Sequence, residues 1–201
     1  MSSRKYKYYC PETPYGLNGL DDLGLQSVLE IKDADFILLS GGADISSHLY
    51  GEDPTSNGAR YPIHRRDAVE IHAIGVGRSL GIPVFGICRG AQLLHVMNGG
   101  KLIQHLETHH NHTHKMKRAD TKAEICEVNS LHHQGIPIDE AINMYGAKNV
   151  AINDDEVSVE AFVDEKRQVY GVQYHPEFGG CSTEGRKFFK DLITKYVGEP
   201  V

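Results

Sequence analysis

The sequence predicts an α/β protein in which a mostly parallel central sheet is doubly wound and carries an antiparallel C-terminal extension. In the first half of the 201-residue chain, strand and helix patterns alternate, whereas strand patterns follow one another closely in the second half. The hydrophobic content of 40% suffices for one sizeable core, and the chain has no long linker or internal repeat. We therefore expect residues 1–201 to form a single domain.

The elements of the first half alternate as a parallel sheet requires. Residues 5–9 are predicted as the first strand. Apolar runs predict strands at residues 36–39 and 83–87, because a strand buried on both faces is a short continuous apolar stretch. A short helix is predicted at residues 22–30, and apolar spacings of three and four residues predict another at residues 67–80. Crossover helices of this kind connect parallel strands.

The second half is richer in strands. Runs of β-branched and aromatic residues predict strands at residues 124–128, 142–147, 157–163 and 169–174. The NDDE sequence at residues 153–156 predicts a hairpin turn. Ser182 or Thr183 is placed to cap a final helix. The buried stripe of that helix is predicted to comprise Phe188, Phe189, Leu192, Ile193 and Tyr196.

Cys88 occupies the turn between a predicted strand and a predicted helix, in the sequence VFGICRGAQLL of residues 84–94. Gly86 and Gly90 lie two positions before and after it, where a sharp strand-to-helix turn needs small residues because its backbone segments approach closely. Such a turn presents its side chain at the carboxyl end of the sheet, where these folds bind ligands. Cys88 is therefore the candidate nucleophile.

His175 and Glu177 follow the last predicted strand, in the sequence VQYHPE of residues 172–177. Residues i and i+2 of an extended chain project to the same side, and Pro176 favours the extended conformation at His175. By itself, such a pair is also typical of a solvated loop. Together with Cys88 it predicts a catalytic triad, in which the imidazole transfers protons for the thiol and the carboxylate orients the imidazole.

The sequence resembles the class I glutamine amidotransferase-like superfamily and, within it, the γ-glutamyl hydrolase branch (peptidase C26), which includes γ-glutamyl-γ-aminobutyrate hydrolases. GICRGAQ and HPE carry the resemblance to the superfamily, and further segments in the family's order carry it to the branch. These segments are LLSGGADISSHLYGE at residues 38–52, RRD at 65–67, GGKL at 99–102 and NSLHHQ at 129–134. The resemblance implies a flavodoxin-like three-layer sandwich. It also implies a cysteine-dependent hydrolase that cleaves the γ-glutamyl amide bond of glutamine or a γ-glutamyl amine through a thioester.

The resemblance implies roles for residues around the triad as well. It places an oxyanion hole at the backbone N–H groups of Arg89 and Gly42, with Gly41 adjacent. It assigns contacts with the glutamyl group of the substrate to Gln92, Ser130, His132 and Gln134. It also implies a further strand and helix between residues 9 and 35, where this chain has room for one helix only. The sequence therefore predicts that one edge strand is absent.

A histidine-rich stretch separates the GGKL and NSLHHQ segments and contains His105, His109, His110, His112 and His114. Its HxH spacing could present imidazoles on one face of an extended segment, but no neighbouring cysteine or acidic pair completes a metal site. The sequence therefore predicts a flexible polar loop here and a solvated turn at KMKR, residues 115–118. It predicts neither a metal nor a cofactor.

The composition and charge of the chain limit the kinds of binding partner that we expect. The formal charge of −6 argues against nucleic-acid binding through a positive field. No apolar run approaches about 18 residues and the start of the chain lacks a signal-peptide core, so we expect a cytoplasmic protein without a membrane partner. The expected partner is a small γ-glutamyl molecule, with a synthetase or a second copy of the chain as alternatives.

Two other functions fit the same residues. One is a glutaminase subunit that supplies ammonia to a separate synthetase, for which stimulation by a partner protein is the test. The other is a binding or regulatory module that keeps the fold without catalysis. The complete triad argues against that module, and labelling of Cys88 by a glutamine-mimicking electrophile tests it.

Overall fold

The computed structural model describes residues 5–12, 17–52, 64–107, 109–139, 148–153 and 156–200. Its strands are β1 (Tyr6–Tyr9), β2 (Leu25–Val28), β3 (Phe36–Leu39), β4 (Val84–Ile87), β5 (His110–Arg118), β6 (Glu124–Leu131), β7 (Lys148–Asn153), β8 (Val159–Asp164) and β9 (Val169–Val172). Its α-helices are α1 (His64–Leu80), α2 (Arg89–Val96) and α3 (Thr183–Val197). Short 3-10 helices span Asn18–Leu23, Ile31–Asp33 and Ser47–Tyr50.

Within the described residues, the nine strands form one mixed sheet in the order β2-β1-β3-β4-β9-β8-β7-β5-β6. From β2 to β9 the neighbouring strands are parallel. From β9 through β8, β7 and β5 to β6 they are antiparallel. This order confirms the predicted α/β fold, with a parallel centre and an antiparallel extension built from the C-terminal half.

Helices cover both faces of the parallel region. Phe36 and Leu38 of β3 belong to the core on the α3 side of the sheet, whereas Ile37 and Leu39 belong to the core formed with α1 and α2. All four side chains have 0% exposure, which explains why β3 is uniformly apolar in the sequence. The result is the predicted three-layer sandwich.

The register of β4 and β9 places the two most informative sequence segments at one end of the sheet. These strands are parallel neighbours, and Ile87 pairs with Val172 at their carboxyl ends. Cys88 follows β4 directly, and His175 follows β9 after two intervening residues. Because parallel strands end at the same edge, the fold itself brings these segments together.

The segment between β1 and β3 differs from the helix predicted at residues 22–30. A 3-10 helix ends at Leu23, Gly24 adopts a positive φ of 76°, and β2 then pairs in parallel with β1. β2 forms the edge of the sheet, so the predicted absence of an edge strand is also wrong. Leu25 is the only fully buried residue of β2, and a strand with one buried side chain leaves almost no periodicity in the sequence.

The histidine-rich stretch also differs from its prediction as a polar loop. Residues His110–Arg118 form β5, and the solvated turn predicted at residues 115–118 is the end of this strand. β5 pairs with β6 along its length and with β7 at its C-terminal end. His114 and Met116 are buried, so alternate positions of β5 face the interior.

The other C-terminal predictions fall into three groups. The strands predicted at residues 124–128, 157–163 and 169–174 correspond to β6, β8 and β9. The strand predicted at residues 142–147 lies outside the described residues, and so does the centre of the turn predicted at residues 153–156. Strand β7 was not predicted. Ser182 caps α3, since its Oγ accepts a hydrogen bond from the Gly185 N–H at 3.1 Å.

Across the described ranges, no helix combines the length and apolarity needed to cross a membrane.

Candidate active site

Cys88 lies on a sharp turn between β4 and α2 and has φ of 50° and ψ of −108°. Its N–H donates to the Val172 carbonyl at 2.8 Å, which ties the turn to β9. A Cβ at Gly86 would lie 2.4 Å from the Ala91 nitrogen, and one at Gly90 would lie 2.2 Å from the Leu39 oxygen. Only glycine fits these two positions, as the sequence pattern around Cys88 suggested.

The three side chains predicted as a triad lie together. His175 Nδ1 is 2.8 Å from Glu177 Oε1, and His175 also forms a side-chain hydrogen bond with Cys88. Because the ionised carboxylate can only accept, Nδ1 carries the proton shared with Glu177 and Nε2 is left for the sulfur. Cys88, His175 and Glu177 are only 5–6% exposed, so water screens these contacts little.

The surroundings of His175 favour its charged form. Burial lowers its pKa, but the charge of Cys88, the hydrogen bond between the two groups and the Glu177 carboxylate together raise the pKa to about 10. The ring is therefore held as an imidazolium between the sulfur and the carboxylate. An imidazolium in this place can give its Nε2 proton to a group bound at Cys88.

Three further residues position His175, and sequence reasoning assigned none of them this role. Asn129 clamps its backbone, because Asn129 Nδ2 donates to the His175 carbonyl at 2.9 Å and the His175 N–H donates to Asn129 Oδ1 at 2.8 Å. Phe178 stacks on the imidazole at 5.0 Å between ring centroids. A Cβ at Gly41 would lie 2.5 Å from His175 Cε1, so Gly41 allows the ring its position. Asn129 lies in the NSLHHQ segment, which was the available sequence signal.

The two backbone groups predicted as an oxyanion hole lie after adjacent strands. Arg89 opens α2, so its N–H is among the first-turn donors that have no partner within the helix. Gly42 follows β3 and has φ of 142°, a conformation that favours glycine. Since β3 and β4 are parallel neighbours, both turns lie at the same edge of the sheet as Cys88.

A buried ion network anchors the Arg89 side chain. Its guanidinium forms ion pairs with Asp67 and Glu70 of α1. Arg66 Nε lies 2.8 Å from Glu70 Oε1, and Arg66 Nη2 donates to the Ser40 carbonyl at 2.8 Å. Two cations thus neutralise two anions in the interior. The RRD segment fixes the residue that follows Cys88, a role that sequence reasoning did not assign to it.

Gln92 and Gln134, both predicted substrate contacts, are buried and bonded to the protein. Gln92 Nε2 donates to the Gln134 carbonyl at 3.0 Å and to Gln173 Oε1 at 3.2 Å. Gln134 Nε2 donates to Gln104 Oε1 at 3.2 Å, whereas Gln134 Oε1 has no hydrogen-bond partner. The acceptor of Gln134 is therefore the group that could take a new donor.

Ser130 and His132, the other two predicted contacts, are also buried. Ser130 Oγ donates to the His109 carbonyl at 2.6 Å, and His132 Nδ1 lies 2.7 Å from the Gln134 carbonyl. Burial lowers the pKa of His132 well below its ordinary value, and the neighbouring histidines act in the same direction, against the hydrogen bond to Gln134. His132 is thus a neutral imidazole inside the protein.

Comparison with known proteins agrees with this fold. The model of the family Peptidase C26 matches residues 25–177. The glutamine amidotransferase-like protein YvdE of Lactococcus lactis is 35% identical over 179 residues, which are 79% of this chain and 71% of that protein. The arginine-specific small chain of carbamoyl phosphate synthase from Aspergillus niger is 30% identical over 144 residues, 70% of this chain and 31% of that protein. The crystal structure of a glutamine amidotransferase from Thermotoga maritima superposes with a TM-score of 0.62 at 14% identity, over 96% of this chain and 85% of that one.

The fold and the sequence together define a protein of the glutamine amidotransferase-like class. Within it, this chain belongs to the peptidase C26 family.

Proposed function

We propose that this chain is a thiol hydrolase that cleaves the γ-glutamyl amide bond of glutamine or a γ-glutamyl amine. The observation that carries the proposal is the hydrogen-bonded series from Cys88 through His175 to Glu177 at the carboxyl end of a parallel sheet. A thiol, a proton-transferring imidazole and an orienting carboxylate are the groups that amide cleavage through a thioester requires.

The reaction divides into two steps. The Cys88 sulfur forms a bond to the γ-carbonyl carbon, the carbon–nitrogen bond breaks, and the amine or ammonia leaves with the Nε2 proton of His175. Neutral His175 then takes a proton from water, whose oxygen attacks the thioester carbon. The carbon–sulfur bond breaks and leaves glutamate, the Cys88 thiolate and the His175 imidazolium, and the second water proton passes to solvent as the new carboxyl group ionises. Glu177 holds Nδ1 throughout, so Nε2 stays directed at the sulfur.

Charge develops on the γ-carbonyl oxygen in both steps. We assign its stabilisation to the backbone N–H groups of Arg89 and Gly42, which follow neighbouring strands. The ion network of Asp67, Glu70 and Arg89 supports this assignment, because it fixes the start of α2. Losing one such donor typically raises the barrier by about 2.7–4 kcal/mol.

Binding of the glutamyl group is proposed to involve Gln92, Ser130, His132 and Gln134. Most of their polar atoms bond to one another or to the backbone, so we propose that they mainly shape the floor of the pocket. The exceptions are His132 Nε2 and Gln134 Oε1, which are buried without a partner, and Gln134 Oε1 can only accept. The α-ammonium of a glutamyl substrate is a donor of suitable chemistry for it.

The proposed function is tested by incubating the protein with free glutamine and with a panel of γ-glutamyl amines while glutamate release is followed. We expect turnover of at least one compound and its loss in Cys88→Ser. Absence of glutamate release from every γ-glutamyl compound, with Cys88 intact and the protein folded, would contradict the proposal.

A second candidate is a glutaminase subunit that delivers ammonia to a separate synthetase. The similarity to the small chain of carbamoyl phosphate synthase favours it. Strong stimulation of glutamine hydrolysis by a synthetase protein would support this candidate over the stand-alone hydrolase. Equal rates with and without candidate partners would support the hydrolase.

Replacement of Glu177 by Gln is expected to lower the pKa of His175. The carboxylate stabilises the imidazolium, so its removal shifts the equilibrium toward the neutral ring. A shift of about 1–3 units is typical when an opposite charge within contact distance is removed. Imidazole NMR of ¹⁵N-labelled protein measures the midpoint, and the imidazolium should disappear at lower pH in Glu177→Gln than in the wild type.

The matched control for this titration is Glu184→Gln, because Glu184 is an exposed residue of α3. Its replacement should leave the midpoint of His175 unchanged. An unchanged or higher midpoint in Glu177→Gln would show that Glu177 does not stabilise the imidazolium.

A further inference from the structure

A second cluster of chemically active side chains lies in the antiparallel part of the sheet and takes no part in the proposed reaction. It consists of His109, just before β5, His114 within β5 and Glu160 within β8. One donor atom from each of these residues lies within 4.8 Å of the donor atoms of the other two. All three side chains are buried, with exposures of 2%, 7% and 0%.

The contacts within the cluster show that its groups already face one another. His114 Nε2 lies 3.0 Å from Glu160 Oε1. The rings of His109 and His114 are 5.1 Å apart between centroids. Two imidazoles and a carboxylate therefore converge on one small interior volume.

Asn153 fixes the state of the His109 ring. Its Oδ1 accepts from the backbone N–H groups of Val157 and Ser158, both at 3.1 Å, so the other end of the amide is the donor. That donor, Nδ2, lies 2.6 Å from His109 Nε2. Nε2 is thus an acceptor and the ring proton lies on Nδ1, so a metal ion would bind His109 at Nε2 in place of the Asn153 amide, which also donates to Ser158 Oγ at 2.9 Å.

His132 supplies an independent observation beside the cluster. Its Nδ1 donates to the Gln134 carbonyl, because a carbonyl can only accept, and this leaves the lone pair on Nε2. That nitrogen is buried and has no hydrogen-bond partner. The centroid of the His132 ring is 5.3 Å from that of His109, and His132 is only 5% exposed, so an imidazole with an unpartnered nitrogen lies beside the cluster.

We infer that His109, His114 and Glu160 form a binding site for a divalent transition-metal ion, beside the buried Nε2 of His132. Imidazole nitrogens and a carboxylate oxygen are ligands of Zn²⁺, which prefers four of them at about 2.0–2.2 Å. In a tetrahedral site with such bonds, the ligand atoms are about 3.4 Å apart. The donor atoms of the cluster therefore need to move only slightly closer together to bind the ion. Zn²⁺ is the ion that this donor set fits best.

The sequence did not predict this site because its parts are far apart in the chain. The HxH spacing pointed to His112 and to ligands within one segment, and no acidic residue of the stretch completed the set. In the fold, Glu160 arrives from β8, and β7 separates it from β5. A bound ion would join two strands that share no hydrogen bonds, so it should stabilise the antiparallel extension.

The test is a titration of the full-length, chelator-treated protein with Zn²⁺ and, for its spectrum, with Co²⁺. We expect one ion per chain, d–d absorption of four-coordinate Co²⁺ without a sulfur charge-transfer band, and a higher melting temperature with Zn²⁺. His114→Ala and Glu160→Gln should each weaken binding by at least about tenfold, since even loss of an outer-shell partner costs about 10–100-fold. His112→Ala is the matched control on the same strand, because His112 is exposed, and it should bind as the wild type does.

A Cys88→Ala variant separates this site from the candidate active site and should also bind normally. X-ray absorption of the Zn²⁺-loaded wild type needs no variant and should show nitrogen and oxygen ligands, including at least two imidazoles. The inference is overturned if the wild type binds no stoichiometric ion, if a sulfur ligand is found, or if binding survives both His114→Ala and Glu160→Gln. Loss of binding in His112→Ala alone would overturn it as well, because surface histidines would then be the site.

Discussion

Cys88→Ser is expected to abolish the hydrolysis of glutamine or the γ-glutamyl amine that the wild type cleaves, with kcat lower by about 10⁴–10⁶-fold. The hydroxyl is a far weaker nucleophile than the thiol, and the thioester cannot form without the sulfur. Steady-state kinetics of glutamate release measure the effect. The fold should survive, because the substitution changes a single atom at a position that is 6% exposed.

The other thiols provide the controls for this result. Cys10, Cys126 and Cys181 are free cysteines, as Cys88 is, but none belongs to the hydrogen-bonded series with His175 and Glu177. Cys181→Ser and Cys126→Ser should each keep kcat within about threefold of the wild type, which is less than 1.4 kcal/mol in the barrier. Retention of activity in Cys88→Ser, or its loss in a control variant that folds, would assign the chemistry to another group.

Glu70→Gln is expected to lower the free energy of unfolding by about 3–5 kcal/mol, because removing one partner of a buried ion pair leaves an uncompensated charge. Glu70 has 0% exposure and pairs with both Arg66 and Arg89. After the substitution, Asp67 alone would face two guanidinium groups in the interior. Urea unfolding of the two proteins measures the difference.

The control for this loss is Glu124→Gln on the surface. Glu124 also pairs with a cation, Lys115, at 2.9 Å, but both side chains are more than half exposed. Exposed pairs contribute about 0–1 kcal/mol, so this variant should be nearly as stable as the wild type. Equal stabilities of Glu70→Gln and Glu124→Gln would contradict the role given to the buried network.

The parts of the site that could be predicted from the sequence are those whose geometry is set locally. Gly86 and Gly90 mark the turn around Cys88 because neighbouring backbone leaves no room for a Cβ. His175 and Glu177 meet because two residues of extended chain separate them. The pairing of these segments depends on the adjacency of the parallel strands β4 and β9, which the sequence did not predict.

The features that the sequence did not reveal depend on contacts between distant segments. β2 is a strand because β1 offers it a free edge, since only Leu25 of β2 is buried. β5 is a strand because β6 and β7 pair with it, although its residues are mostly histidines and lysines. Asn129 reaches His175 from β6, and Glu160 reaches His114 from β8, contacts that no local pattern contains.

Treatment of the protein with a diazoketone analogue of glutamine, followed by peptide mapping by mass spectrometry, tests the central claim most directly. The account predicts one covalent adduct per chain, on Cys88, that free glutamine suppresses and that His175→Ala slows strongly. An adduct on a different cysteine, or no adduct on the folded wild-type protein, would contradict the account.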